Sequence, residues 1–228
     1  MKNLIIYTCI TNSYDWLLPP IWQSPGTRYI CFTDNPQIRV KGGEIYGVPA
    51  ASERGDGALA NRYCKFFPWD VLPEHDWSLY VDANIRLLDD PRFLINEIRQ
   101  NDVEMAIPRH PARENIWEEA EACERLGKIS AVNLPKLKAQ LDRYQREGLP
   151  TTSGLTENGI IFRSGDCSRL RPVMQFWWGE LKKGVKRDQI SLPYVLWRTR
   201  TPVYRLSCSA RDQNPHFRIV PHRQTRSL

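Results

Sequence analysis

The chain has 228 residues, of which 41% are hydrophobic and 25% are charged, and it carries a formal net charge of +6. A chain of this length buries about 70% of the surface that it exposes when unfolded, so one domain can be stable without disulfides. The composition excludes a disordered chain, a coiled coil and a collagen-like repeat, and no apolar run approaches the roughly 20 residues of a membrane helix.

Strand-like and helix-like segments alternate along the chain. Segments rich in β-branched and aromatic residues, bounded by turn formers, predict strands at Leu4–Ile10, Arg28–Thr33, Trp77–Val81, Glu104–Pro108, Gly159–Phe162 and Pro202–Leu206. Helical periodicity with start and stop signals predicts helices at Ala58–Phe67, after Asp90-Pro91, and at Glu114–Leu126, Leu134–Arg146, Arg171–Lys183 and Ile190–Trp197. This order predicts a single α/β sandwich around a mostly parallel sheet over residues 1–197, with a basic segment, 198–228, packed on it or extending from it.

Two side chains with oxygen donors follow the predicted strand Trp77–Val81, namely Asp82 and Asn84. Ligands of open α/β sheets bind at the carboxyl ends of the strands, and alternate residues of an extended segment point the same way. The pair can therefore hold Mg²⁺ or Mn²⁺, which then bridges a diphosphate. The alternative is an ordinary Asx turn at the end of a strand.

The predicted helix Ala58–Phe67 carries two cations on one face, Arg62 and Lys65. Residues three apart are neighbours on a helix surface. Two cations that enter one cleft suit a pyrophosphate. The alternative is that they form a solvated face.

Polar residues also precede the predicted strand Gly159–Phe162 and the helix Ile190–Trp197. Glu157 and Asn158 can hydrogen-bond sugar hydroxyls, or can simply form a turn that leads into the strand. Asp188 and Gln189 follow a loop of lysine and glycine, where Asp188 could equally be the N-cap of a helix.

Residues 198–228 contain seven arginines and one acidic residue, so this segment accounts for the whole net charge. Such a segment suits phosphate groups or an anionic surface, or it docks on an acidic face of its own domain. His216 and His222 lie within it, and one of the two is a candidate third metal ligand, with His216 preferred. The alternative is that both are plain surface residues.

Several motifs of common enzyme classes are missing from the sequence. It contains no H-E-x-x-H, G-x-S-x-G, Walker A loop or G-x-G-x-x-G, which disfavours metalloproteases, α/β-hydrolases, P-loop kinases and standard dinucleotide dehydrogenases. The six cysteines are scattered, with no C-x-x-C pair. This spacing predicts reduced, buried thiols and a cytoplasmic location.

Eight short motifs, taken in order, resemble one known family. They are Tyr7–Asp15, Cys31–Asp34, Arg62–Pro68, Tyr80–Ile85, His110–Arg113, Ile116–Ala120, Gly154–Asn158 and Arg187–Gln189. Together they resemble the glycosyltransferase-like domain of plant mucilage and turgor-regulation proteins, over most of the chain to about Trp197. That family is placed among the GT-A glycosyltransferases and is similar in layout to the glycogenin-like retaining enzymes.

The resemblance implies a GT-A-like, Rossmann-like fold, a nucleotide-sugar donor that is usually UDP-linked, and a divalent cation, Mn²⁺ or Mg²⁺, held by a D-x-D motif. It places Asp82 and Asn84 at the metal and diphosphate, and Arg62 and Lys65 at the donor phosphates or ribose. The remaining positions divide between the nucleoside pocket (Thr11, Asn12, Asp34) and the donor sugar and acceptor (Asn158, Asp188, Gln189).

One position departs from the family pattern, because Asn84 stands where the second acid of D-x-D is expected. The loss of one ligand charge should weaken metal binding. A variant that needs no metal and uses Arg62, Lys65 and the arginines of the tail is the alternative, since cations can also stabilise a departing diphosphate.

The expected reaction is glycosyl transfer to a glycan or another hydroxyl acceptor, as in polysaccharide biosynthesis. Asp188 is the first candidate for orienting or deprotonating the acceptor, and Glu157 is the second, because such a carboxylate must lie within hydrogen-bond reach. Inversion and retention both stay open. The rival hypotheses are a nucleotidyltransferase and a non-catalytic protein that binds nucleic acid or carbohydrate; no nucleic-acid partner is expected, and membrane contact is at most peripheral.

Overall fold

The computed structural model describes residues 3–18, 21, 24–50, 52 and 55–223. The strands of this part of the chain are β1 (Leu4–Ile10), β2 (Thr27–Thr33), β3 (Glu44–Gly47), β4 (Trp77–Val81), β5 (Ile85–Leu87), β6 (Met105–Pro108), β7 (Ile160–Ser164), β8 (Tyr204–Leu206) and β9 (Phe217–Ile219). The α-helices are α1 (Gly57–Phe66), α2 (Pro68–Val71), α3 (Arg92–Gln100), α4 (Ile116–Arg125), α5 (Leu134–Arg146), α6 (Leu170–Lys183) and α7 (Asp188–Thr199).

The main sheet has seven strands in the order β3-β2-β1-β4-β7-β6-β8. Strands β3, β2, β1 and β4 run parallel, β7 is antiparallel to both of its neighbours, and β6 and β8 are parallel. This arrangement confirms the predicted α/β fold with a mostly parallel sheet. It also brings the carboxyl ends of β1, β2 and β4 to the same edge as the start of β7.

The central strands read as continuous apolar runs because both faces of the sheet are covered. Every residue of β1 and β4 is buried, as expected for strands at the centre of a parallel sheet. On one face, α1 and α4–α7 form the larger core, in which the rings of Phe66 and Trp177 stack with their centroids 3.7 Å apart. On the other face, α3, β5 and β9 form a smaller core.

The basic C-terminal segment contributes strands to both sheets. Strand β8 extends the main sheet beside β6, and β9 pairs antiparallel with β5 in a second, two-stranded sheet. Beyond β9, the backbone N–H of Val220 donates to the carbonyl of Asn84 at 2.7 Å. This pairing carries the end of the described chain along the segment that follows β4. Among residues 3–223 that the structure describes, no helix has the length and apolar character needed to cross a membrane.

Candidate functional site

A cleft of about 410 Å³ opens at the edge of the sheet where β1 and β4 end and β7 begins. It lies where ligands of parallel α/β sheets bind. All of the predicted site residues line it except Asp34 and His216. The predicted residues that the fold brings together here are Thr11, Asn12, Arg62, Lys65, Asp82, Asn84, Glu157, Asn158, Asp188 and Gln189.

Asp82 is held at the end of β4 by its close contact with the start of β7. Its backbone N–H donates to the carbonyl of Gly159 at 2.8 Å, and its own carbonyl accepts from the N–H of Ile85 at 2.8 Å. A Cβ on Gly159 would lie 3.2 Å from Oδ2 of Asp82 and 2.7 Å from Cδ1 of Ile85. Glycine at position 159 therefore allows the approach that directs the Asp82 carboxylate into the cleft.

A buried ion cluster joins α1 to the first turn of α7. Nζ of Lys65 lies 2.6 Å from Oδ2 of Asp188 and 3.6 Å from Oδ1 of Asp82, and Nε of Arg62 lies 3.3 Å from Oδ2 of Asp188. The Lys65 side chain is only 1% exposed, whereas that of Asp82 is 39% exposed. Lys65 is therefore an interior group, which rules out the alternative that it belongs to a solvated helix face.

The charges of this cluster determine the protonation state of Asp188. Burial alone would raise the pKa of its carboxyl, but Arg62 and Lys65 outweigh burial and hold that pKa well below its usual range. Asp188 also makes no capping bond, since Arg187 occupies the N-cap of α7 without a side-chain hydrogen bond. The alternative interpretation of Asp188 as an N-cap is therefore wrong.

Asn84 and His222 lie side by side next to Asp82 in the wall of the cleft. Nδ2 of Asn84 donates to the carbonyl of Val220 at 3.2 Å and lies 3.4 Å from Nε2 of His222. Nδ1 of His222 lies 2.9 Å from Oδ1 of Asp15, which orients the ring. With Nδ1 bound to Asp15, Nε2 is the ring nitrogen that a ligand in the cleft could meet, beside the amide of Asn84.

His216, the preferred third metal ligand, is not brought to the cleft. Its Nδ1 lies 3.4 Å from Oδ2 of Asp89, and its ring packs on Phe93 with the centroids 4.1 Å apart. The tail histidine beside Asp82 and Asn84 is instead His222. Pairing of β9 with β5 decides between the two, because it places residues 220–222 along the chain that follows β4.

Glu157 is buried and both of its carboxylate oxygens are bound. Oε1 lies 2.5 Å from Nε of Arg211, and Oε2 accepts from Oγ of Ser209 at 2.8 Å. Beside it, Oδ1 of Asn158 accepts from Oγ1 of Thr156 at 2.7 Å. Nδ2 of Asn158 is buried and has no hydrogen-bond partner among the described residues, so it is a donor suited to a ligand hydroxyl.

Gln189 and the predicted nucleoside residues are positioned by backbone contacts. Nε2 of Gln189 donates to the carbonyl of Thr156 at 3.1 Å. The carboxylate of Asp34 accepts the backbone N–H of Asn12 at 2.9 and 3.1 Å, and Oγ1 of Thr11 donates to the carbonyl of Gly57 at 2.8 Å. Asp34 therefore orders the turn after β1.

A second cavity, of about 690 Å³, adjoins the cleft and contains Asp34. It shares Thr11 and Asn12 with the cleft and extends past Tyr46 of β3 to Asp56, the N-cap of α1. The predicted nucleoside residues thus lie where the two cavities join, with Asp34 on the side of the second cavity. Asp82 lies in the wall of the cleft rather than in the second cavity.

Several residues of the cleft are not among the predicted site residues. Lys128, Arg187 and Arg211 all line it, although they come from three distant parts of the chain. Burial and the charge of Asp82 raise the pKa of the Tyr80 hydroxyl, whose ring centroid lies 5.0 Å from Nζ of Lys65. Asp15, Tyr80 and Arg187 lie inside motifs that the sequence singled out, but nothing in their spacing indicates these contacts, and Lys128 lies in none of the motifs.

Known proteins resemble this chain in sequence and in fold. Alkaline ceramidase TOD1 of Arabidopsis thaliana is 30% identical over 140 residues, which are 58% of this chain and 30% of that protein. The chain therefore spans less than a third of the length of this relative. The crystal structure of mouse xyloside xylosyltransferase 1, in its apo form, matches 91% of this chain and 85% of its own with a TM-score of 0.52 and 10% identity.

The structural match confirms the GT-A-like fold that the sequence motifs predicted. The model of a sequence family described as TOD1/MUCI70, glycosyltransferase-like domain, matches residues 53–213. This range contains the Asp82 turn, the Lys65–Asp188 cluster and Asn158. Because the match spans most of the sequence, the chain belongs to the TOD1/MUCI70 family of glycosyltransferase-like domains.

Proposed function

We propose that the chain transfers a sugar from a UDP-linked nucleotide sugar to a hydroxyl group of a glycan or similar acceptor. The observation that carries this proposal is the arrangement of one cleft, where Asp82 and Asn84 at the end of β4 face the Lys65–Asp188 pair. The unpartnered amide of Asn158 lies in the same cleft. In a GT-A-like fold, this arrangement offers a place for a diphosphate, a sugar and an acceptor hydroxyl.

We assign the donor nucleotide to the space between the two cavities. Thr11, Asn12 and Asp34 line the part that would take the nucleoside. Asp82, Asn84 and His222 would hold a divalent cation, since all three line the cleft. The carboxylate and amide oxygens suit Mn²⁺ or Mg²⁺, and the imidazole favours the transition metal Mn²⁺ over Mg²⁺. With one carboxylate in the set, affinity for the cation should be weak.

When bound, the cation supplies positive charge that stabilises the nucleoside diphosphate as it departs. The chain contributes further charge at fixed positions. Arg62 and Lys65 are held by Asp188, so they need no reorganisation when negative charge develops nearby. Their position in the cleft suits contacts with the donor sugar and the phosphate that leaves it.

Asp188 is suited to orienting a hydroxyl and poorly suited to removing its proton. Its pKa lies well below the usual range because of Arg62 and Lys65, whereas an efficient general base has a pKa near the working pH. Glu157 is held in a similar way by Arg211 and Ser209. In the proposed transfer, the bond from the anomeric carbon to the diphosphate breaks, the bond to the acceptor oxygen forms, and the departing phosphate oxygen takes the acceptor proton.

Thermal stabilisation by nucleotides tests this proposal. The wild type is heated with UDP, GDP, ADP or CMP, with and without Mn²⁺, beside Asp82→Ala and the matched control Asp142→Ala on α5. A bound ligand raises stability with the logarithm of its concentration over Kd. We expect a Mn²⁺-dependent rise with UDP that is lost in Asp82→Ala and retained in Asp142→Ala.

Other outcomes of the same experiment contradict the proposal. No stabilisation by any nucleotide would overturn it, and binding that survives in Asp82→Ala would move the nucleotide elsewhere. In turnover assays, release of pyrophosphate would instead indicate a nucleotidyltransferase. Hydrolysis of ceramide is measured in parallel, because one relative is named an alkaline ceramidase.

A further inference from the structure

Three cations line one wall of the cleft and play no part in the proposed donor chemistry. Lys128 follows α4, Arg187 precedes α7, and Arg211 lies between β8 and β9. All three line the same cleft, and burial together with the charges of Arg187 and Arg211 lowers the pKa of the Lys128 ammonium. The fold thus brings like charges together in a concave site.

The carboxylates of the cleft do not neutralise the charge of this wall. Each of them already has a partner, which is a cation or, for Asp15, the ring of a histidine. Asp188 and Asp82 face Lys65, and Glu157 is bound by Arg211. Asp15 lies against the ring of His222 at 2.9 Å. Arg211 is therefore neutralised, and the excess charge belongs to Lys128 and Arg187.

Among the described residues, Arg187 forms an ion pair with Glu119 on α4, an acid that Arg113 already binds. Oε2 of Glu119 lies 2.6 Å from Nε of Arg113, while the contact between its Oε1 and Arg187 is long, at 3.8 Å. Nε of Arg187 is buried without a hydrogen-bond partner in the described part of the chain. Lys128 forms no ion pair with any described residue, although Glu119 acts to raise its pKa against the larger effects of burial and Arg187.

Two cations that line one wall of a cleft repel each other, and an oxyanion bound by both would relieve that repulsion. The planar guanidinium of Arg187 can bind two oxygens of one group side by side, and Lys128 can add a point charge. A carboxylate and a phosphate both match this pair of donors. A neutral hydroxyl would leave the excess charge unchanged.

We propose that the sugar substrate of this cleft carries an anionic group, a carboxylate or a phosphate, which binds to Lys128 and Arg187. This inference rests on the proposed glycosyl transfer and specifies the class of sugar involved. The group can belong to the donor sugar, as in a uronic acid, or to the acceptor glycan. Both cases share the same chemistry at the two side chains.

Matched neutral and anionic probes separate these sources. Titration calorimetry in the presence of Mn²⁺ compares UDP-glucuronic acid with UDP-glucose for the donor. With UDP present, it compares a trigalacturonide with galactotriose, and galactose 6-phosphate with galactose, for the acceptor. Because hydrogen bonds between charged groups are the strong ones, we expect the wild type to prefer one anionic probe about tenfold or more over its neutral partner.

Variants of Lys128 test whether that preference depends on the charge of this residue. We expect Lys128→Ala to abolish it, Lys128→Arg to retain it, and Lys136→Ala, an exposed lysine of α5, to leave it unchanged. Binding of UDP itself should persist in all three variants. The inference is overturned if no anionic probe is preferred by the wild type, or if the preference survives in Lys128→Ala; in both cases UDP binding that depends on Asp82 would leave the proposed function intact.

Discussion

Two groups of cations line the cleft. The charges of Arg62 and Lys65 (the Lys65 side) are neutralised within the protein, whereas those of Lys128 and Arg187 (the Lys128 side) are not. Lys65 is buried against Asp188 and lies near Asp82, and Arg62 completes that cluster. Among the described residues, Lys128 has no ion pair, and Arg187 pairs with Glu119 at a long 3.8 Å, an acid that Arg113 already binds. Lysine and arginine thus have two different roles in this cleft. In the Lys65–Asp188 cluster their charges are paired and fix the local geometry, whereas the unpaired charge of Lys128 and Arg187 favours the binding of an anion.

Among the substitutions that compare the two sides of the cleft, Lys65→Ala is expected to cause the largest loss of stability. Lys65→Ala leaves the carboxylate of Asp188 buried with Arg62 as its remaining partner. Removal of one partner from a buried ion pair costs about 3–5 kcal/mol, so the urea midpoint should fall strongly. Stabilisation by UDP and Mn²⁺ should be lost as well.

Lys128→Ala is the matched control for this comparison. It removes a lysine that lines the same cleft but has no ion pair among the described residues, and changes at such positions stay within about 0.5 kcal/mol. Its urea midpoint should therefore match that of the wild type. If the two lysine variants unfold at similar urea concentrations, the distinction between a closed cluster and an open wall is wrong.

A smaller effect is expected in the dependence of stability on pH. The pKa of Asp188 is lower in the folded protein than in the unfolded chain because of Arg62 and Lys65. The stability that it contributes is present above the unfolded pKa, near 3.9, and is lost as the pH falls through the folded value. The free energy of unfolding of the wild type, measured by chemical unfolding at a series of pH values below about 5, should fall at about the reference pKa of Asp and below it.

Asp188→Asn tests the sign of that dependence. The variant should be less stable than the wild type near neutral pH, because Lys65 loses its charged partner. The difference between the two proteins should shrink as the pH falls. A difference that stays constant over the acid range would show that Asp188 does not hold its charge in the way described.

Much of the cleft follows from local features of the sequence. Asp82 and Asn84 end an apolar run, and a parallel sheet carries residues at the ends of neighbouring strands to one edge. Thr11 after β1 and Asn158 before β7 reach the same edge for that reason. The catalytic and binding roles of these residues stay predictions.

The rest depends on contacts that no local pattern contains. Strands β3, β5 and β9 have three or four residues each, too few to show a period, and β5 finds its partner near the other end of the chain. That pairing brings His222, and not His216, to Asn84. Lys128 and Arg187 likewise meet only once α4 and α7 have packed together.

Glycosyl transfer at this cleft is tested most directly by the release of UDP from a panel of UDP-sugars in the presence of Mn²⁺. We expect the wild type to release UDP from one of these donors, and an added acceptor to accelerate the release. Asp82→Ala should lower the rate at least about 100-fold, the loss typical of a group that stabilises developing charge, while Asp142→Ala should match the wild type. Absence of release from every donor, or release undiminished in Asp82→Ala, would contradict glycosyl transfer at this cleft.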